Sequence, residues 1–171
     1  MDQRRQSSLR QAMSRFLELN DYTPKIPEGM PDFSARELRF PATVAASRLR
    51  LWKPGDPIPN RGTRLLVGAA VWSRYDMLLL DLIDDALRIR NGDAPHVDVF
   101  NAGILTSQEA IEDYIPGIGE VLQMPAVGVW HDGRLVKSAS GYEGRDLAAQ
   151  MFGSSSDDIV DQIRSRIRVP E

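Results

Sequence analysis

The 171-residue chain contains no cysteine, which excludes disulfide exchange, thiolate metal ligands and thiol nucleophiles together. Its other reactive side chains are few. His96 and His131 are its only imidazoles, the side chains most often used as general bases. The hydroxyl to weigh against them is Ser73, in Trp72-Ser73-Arg74-Tyr75-Asp76. A serine nucleophile needs a base within hydrogen-bond reach and a third group to orient that base. His96 precedes a predicted strand and His131 sits in a predicted turn, so neither is expected beside Ser73. An N-cap for the helix that follows is the plainer role for Ser73. Asp81, Asp84 and Asp85 share one helix face, and hard cations take such carboxylates. A solvated face is the ordinary expectation, with Asp84 and Arg88 as an i,i+4 ion pair. Gly117-Ile118-Gly119 lacks the following glycine and the preceding strand of a dinucleotide loop. No catalytic residue, cofactor or metal is predicted.

Charge and composition narrow the partners. The formal net charge is −3 and no basic stripe runs through the chain, so nucleic acid is not expected. Arg4, Arg5, Arg10 and Arg15 form a local basic cluster, read as a solvated helix face, with an anionic docking site as the alternative. Lysine occurs only at positions 25, 53 and 137, a bias that points to a GC-rich genome and not to a function. The N-terminus leads into no apolar signal segment, and no apolar run approaches the roughly 20 residues of a membrane span. A cytoplasmic protein without a membrane span is expected.

The elements that must position these residues follow from periodicity. Leu9, Met13, Phe16 and Leu17 form one stripe on a helical period, so residues 1–20 are predicted as a short amphipathic helix. That stripe is expected to pack on the protein's own body, with docking on a partner as the alternative. Pro24, Pro27, Pro31, Pro41, Pro54, Pro57 and Pro59 argue against any long helix or central strand in 21–60. One strand candidate, Ser47 to Trp52, survives there. Leu65 to Val71 is a continuous apolar run suited to a strand buried on both faces. A largely buried helix is predicted from Asp76 to Arg90, then a strand at Val97 to Phe100. Thr106-Ser107-Gln108-Glu109 reads as a capping box with Thr106 as the cap, opening a helix that ends near Pro116-Gly117. Ala126 to Trp130 and Arg134 to Lys137 flank His131-Asp132-Gly133, a hairpin turn signal. A helix over 143–152 and a last one from Ser155, with Ile159, Val160, Ile163 and Ile167 on one side, complete the chain. The predicted class is α/β, a mixed sheet with helices on both faces.

Gln123-Met124-Pro125-Ala126-Val127-Gly128-Val129-Trp130-His131-Asp132-Gly133, with Gly141 eight residues on, resembles the second half of a thioredoxin. Leu66 to Trp72 resembles the run into that family's Trp-Cys-x-x-Cys motif. The resemblance covers residues 63–152, or 45–152 with the earlier strand. It implies a thioredoxin-like domain at 45–153, with an N-terminal helix and proline-rich arm at 1–44 and an extra C-terminal helix at 154–171. It also implies that Pro125 is the family's cis-proline. The family's two cysteines fall at Ser73 and Asp76, and its buried acid falls near Val67 or Gly68, neither of which ionises. A hydroxyl cannot form a mixed disulfide, so redox chemistry is excluded. Glutathione transferases, which use a serine at a comparable place, carry a further helical domain for which too little chain remains. Cysteine-free relatives serve as assembly chaperones, adaptors and structural subunits. What the resemblance leaves is a surface beside the proline, where an extended peptide can pair with open backbone. The residues expected to bind another protein there are Trp72, Ser73, Arg74, Tyr75, Met124, Pro125 and Tyr142. Simple core-edge packing of Trp72 and Met124 is the competing reading. A subunit docked through its N-terminal arm and an enzyme with a non-thiol mechanism are the remaining alternatives.

Overall fold

The computed structural model describes residues 15–20, 34–90 and 94–153. The predicted positions Leu9 and Met13, and the helix from Ser155, lie outside them. A 3-10 turn, Leu17–Asn20, comes first, followed by α1, Ser34–Ala45. Then come β1 (Arg50–Leu51), β2 (Thr63–Ala69), α2 (Arg74–Ile89) and β3 (His96–Asn101). A 3-10 turn at Ala102–Ile104 leads to α3 (Gln108–Glu112). The hairpin β4 (Ala126–His131) and β5 (Arg134–Ser140) and the helix α4 (Gly141–Gln150) close the described chain.

The five strands form one mixed sheet in the order β1-β3-β2-β4-β5. β3 lies parallel to both β1 and β2, while β4 runs antiparallel to β2 and β5. Parallel neighbours need a long crossover, and α2 supplies it between β2 and β3. The hairpin turn is tight because Asp132 and Gly133 both take positive φ, 47° and 76°, the requirement of a two-residue hairpin loop that matches strand twist. Along β2 every residue from Arg64 on is buried. Leu65, Val67 and Ala69 join one core with α2 and α4, and Leu66 joins a second with Trp52, Phe100, Ile111, Ile115 and Trp130. The sheet is thus covered on both sides, as its uninterrupted apolar strand requires.

Several expectations are corrected. First, residues 34–45 are helical although Pro41 lies inside α1. An interior proline costs a helix about 3 kcal/mol, but α1 buries Phe40 and Val44, each 1% exposed. Burial of two such side chains contributes about 3–6 kcal/mol, enough to outweigh the break. Second, Asp81, Asp84 and Asp85 are buried and not solvated. Asp81 accepts the backbone N–H groups of Phe16 and Leu17 at 2.8 and 3.1 Å. Asp84 accepts the Arg48 N–H at 2.7 Å and pairs with Arg15. Arg88 pairs with Asp85, at i,i+3, and not with Asp84. These carboxylates fasten the segment before the sheet onto α2, and Phe16 and Leu19 enter the core there. Third, the cap of α3 is Ser107, whose hydroxyl accepts from the Ala110 N–H at 3.2 Å, and not Thr106. That helix stops at Glu112, short of Pro116. The predicted strand at 47–52 shrinks to Arg50–Leu51, with one further bond from the Trp52 N–H to the Val99 carbonyl.

Candidate functional site

The site forms where β2 ends and α2 begins. Ser73 is the N-cap of α2, as its type predicts, and its hydroxyl accepts from the Asp76 N–H at 3.3 Å. The Ser73 N–H in turn donates to the Ala70 carbonyl at 2.9 Å. Between them the chain carries Trp72 to the surface, where it is 50% exposed. The turn Ala102–Ile104 backs the indole so closely that a Cβ at Gly103 would lie 3.1 Å from the Trp72 Nε1.

Opposite lies the segment entering β4. The Met124–Pro125 peptide bond is cis. Both ladders of β4 begin at Ala126, so Met124 stands beyond their hydrogen bonds. The Pro125 carbonyl accepts from the Gly141 N–H at 2.9 Å. Gly144 of α4 is forced by close approach, since a Cβ there would come within 2.7 Å of that same carbonyl oxygen. Trp72 and Ser73 on one side, and Val121, Leu122, Gln123 and Met124 on the other, line a depression of about 310 Å³. Leu122 is 80% exposed at its rim.

Of the seven residues expected to bind, the structure brings Trp72, Ser73 and Met124 together in this depression. Pro125 is buried and does not line it. Arg74, Tyr75 and Tyr142 do not line it; the Arg145 guanidinium lies 5.1 Å above the Tyr75 ring. Trp72 is more open than core-edge packing would leave it, whereas Met124 is half-buried and packs against the second core. Val121, Leu122 and Gln123 were missed because nothing in their types or spacing marks a loop as a wall.

Asp76 is the other residue that spacing alone left unassigned. It is 1% exposed. One carboxylate oxygen accepts the Ala70 N–H at 2.9 Å, and the other, equally buried, has no hydrogen-bond partner. Burial pushes the Asp76 carboxyl up to about 6, against the lowering pull of the Ala70 and Ser73 hydrogen bonds and the Arg145 charge. The acid reaches back to the Ala70 N–H and not to that of the N-cap Ser73, which donates to the Ala70 carbonyl. The histidines sit elsewhere. His96 pairs in register with Arg64, and His131 with Thr63, at the start of β2 and so at the opposite end of that strand from Ser73.

A second depression, of about 450 Å³, lies beside β1 and is walled by Phe40, Trp52, Phe100, Ile104 and Tyr114 among others. Nothing in the local pattern of those residues marks them as neighbours. Among the described residues, no helix is long and apolar enough to cross a membrane. Comparison with protein-family models, curated proteins and solved structures gave no match.

Proposed function

We propose that this chain is a thioredoxin-like protein without redox chemistry, which binds an extended segment of another protein as an adaptor or assembly chaperone. The observation that carries the reading is the open depression in which half-exposed Trp72 meets Met124 at the unladdered end of β4. An apolar, partly aromatic hollow beside backbone outside a ladder suits strand-like peptide pairing, with side chains anchoring in the hollow. Family membership is supported by the strand order, by three parallel strands followed by an antiparallel hairpin, and by Ser73 and Asp76 at the places of the two cysteines. The location that fits is the cytoplasm. A catalytic reading is disfavoured because the one strongly perturbed acid near the hollow, Asp76, has its carboxylate oxygens shut away from any substrate. Docking through the N-terminal arm is disfavoured because Phe16 and Leu19 are used in the protein's own core.

The test is affinity capture from the native host by the wild-type chain and by Trp72→Ala/Leu122→Ala. Leu122 is largely and Trp72 half exposed, so the fold is expected to persist, and circular dichroism checks this. One dominant partner held by the wild type and lost by the variant is the expected result. A partner retained by the folded variant would move the interface away from the hollow and sink the reading.

A further inference from the structure

We propose that Asp76 is a proton-operated control of the Trp72–Met124 hollow: its neutral carboxyl closes the Ala70–Ser73 turn and holds Trp72 for binding, and its carboxylate loosens that turn. This rests on the hollow being the binding site, but its mechanism is built from the turn alone. Four hydrogen bonds define the turn. Ala70 N–H donates to the Asp76 carboxylate, Ser73 N–H to the Ala70 carbonyl, Asp76 N–H to the Ser73 hydroxyl, and Met77 N–H to the Ser73 carbonyl. Asp76 therefore ties the end of β2 to the first turn of α2, with Val71 turned into the core and Trp72 carried to the surface between the two anchors.

The tie is asymmetric. The oxygen facing Ala70 is satisfied, while its twin is buried and makes no hydrogen bond, the Ser73 hydroxyl and the Arg145 charge giving the carboxylate only partial compensation. An ionised carboxylate with one buried, unpartnered oxygen carries a large desolvation cost, and the cheapest relief is to open the turn and admit water. A proton on the unpartnered oxygen removes that cost and leaves the other free to accept from Ala70. The groups facing Asp76 from neighbouring elements are few. They are the Ala70 N–H at the end of β2, the Ser73 hydroxyl at the N-cap, and the Arg145 guanidinium of α4. Only Arg145 is charged. It favours the carboxylate, yet burial outweighs it and pushes the carboxyl up to about 6.

The consequence for binding follows by linkage. A partner seated over Trp72 and Ser73 excludes the water that the open turn needs, so occupancy favours the protonated form. Affinity then falls as pH rises through the titration.

The experiment uses the isolated wild-type chain and Asp76→Asn, with no partner present. NMR follows the side-chain carboxyl carbon of Asp76 and the indole N–H of Trp72 across the range from about pH 4 to about pH 8. The expected result is one shared midpoint near 6 for both signals in the wild type, and a Trp72 signal independent of pH in Asp76→Asn. An Asp76 carboxyl titrating at the ordinary carboxylate value, or a Trp72 transition that persists in the variant, overturns the proposal. Should Asp76→Asn fail to fold, the coincidence of the two wild-type midpoints decides by itself. The readouts need no partner, so a failed capture experiment would sink the binding reading and leave this result standing, and the reverse holds equally.

Discussion

Asp76 and Asp98 are both buried carboxylates next to the central strand, 1% and 0% exposed, and they behave oppositely. Asp98 receives the Arg50 guanidinium at 2.7 Å and the Arg64 guanidinium at 2.6 Å, and the His96 ring lies 3.1 Å away. Burial alone would push the Asp98 carboxyl up, but the hydrogen bonds from Arg50 and Arg64 pull it below the ordinary carboxylate range. Arg64, 1% exposed itself, is held between the Trp52 and Trp130 rings, at 4.8 and 4.7 Å from their centroids. Aromatic faces stabilise a desolvated cation. Asp76 has no such partner, and burial wins. Loss of solvent contact does not by itself set the charge of an acid; the donors and charges aimed at it decide how far burial prevails. The Asp98 side of the molecule is locked by charge, and the Asp76 side is left able to respond.

The widest gap between the two regions is expected in their stability. Asp98→Ala should cost about 3–5 kcal/mol, the usual consequence of stranding a buried charge, read as a lower urea midpoint. A loss below about 1 kcal/mol would mean that the two indoles satisfy Arg64 without Asp98. Because the folded Asp98 carboxyl is depressed, its stabilisation is present above the unfolded-state value and is lost as pH falls through the folded one.

Asp76→Asn should act in the other direction. The folded carboxyl titrates at about 6, so between the ordinary carboxylate value and 6 the folded state holds a proton that the unfolded state has released. Wild-type stability therefore falls as pH rises through that window and levels off above it. Removing the charge should raise stability above pH 6 by about 2–3 kcal/mol relative to wild type, with little gain at about pH 4. Urea unfolding at the two pH values checks this, and equal effects at both would show that Asp76 is not titrating in the window. The smallest expected change is Ser73→Ala, which removes the N-cap acceptor of α2 and should cost about 1 kcal/mol at low pH. The cost should grow as pH rises through the Asp76 titration, because the hydroxyl also favours the carboxylate; a cost independent of pH would show that cap and acid are not coupled.

Much of the frame was legible beforehand because it depends on local pattern. The apolar run at 65–71 had to be a strand buried on both faces, Asp132-Gly133 had to be a tight turn, and Ser73 was a cap by its type and place. Pro41 misled because a proline's cost is local and visible, whereas the burial of Phe40 and Val44 that offsets it depends on where α1 lands. The three acids of α2 misled for the same reason. A carboxylate on a helix face is solvated unless another segment brings N–H groups to it, and the donors for Asp81 come from residues 16 and 17, far away in sequence.

The sequence by itself determined that the chain has no thiol chemistry, that it alternates strands and helices into a mixed sheet, and that Ser73 caps the helix after the apolar strand. Residue type and short-range periodicity are enough for each of these. Only the tertiary structure decided that Leu122 walls the same hollow as Trp72, that Asp98 is charge-paired and that Asp76 is not. Those outcomes depend on which donors reach a buried atom across long sequence separations, and no local pattern records that distance.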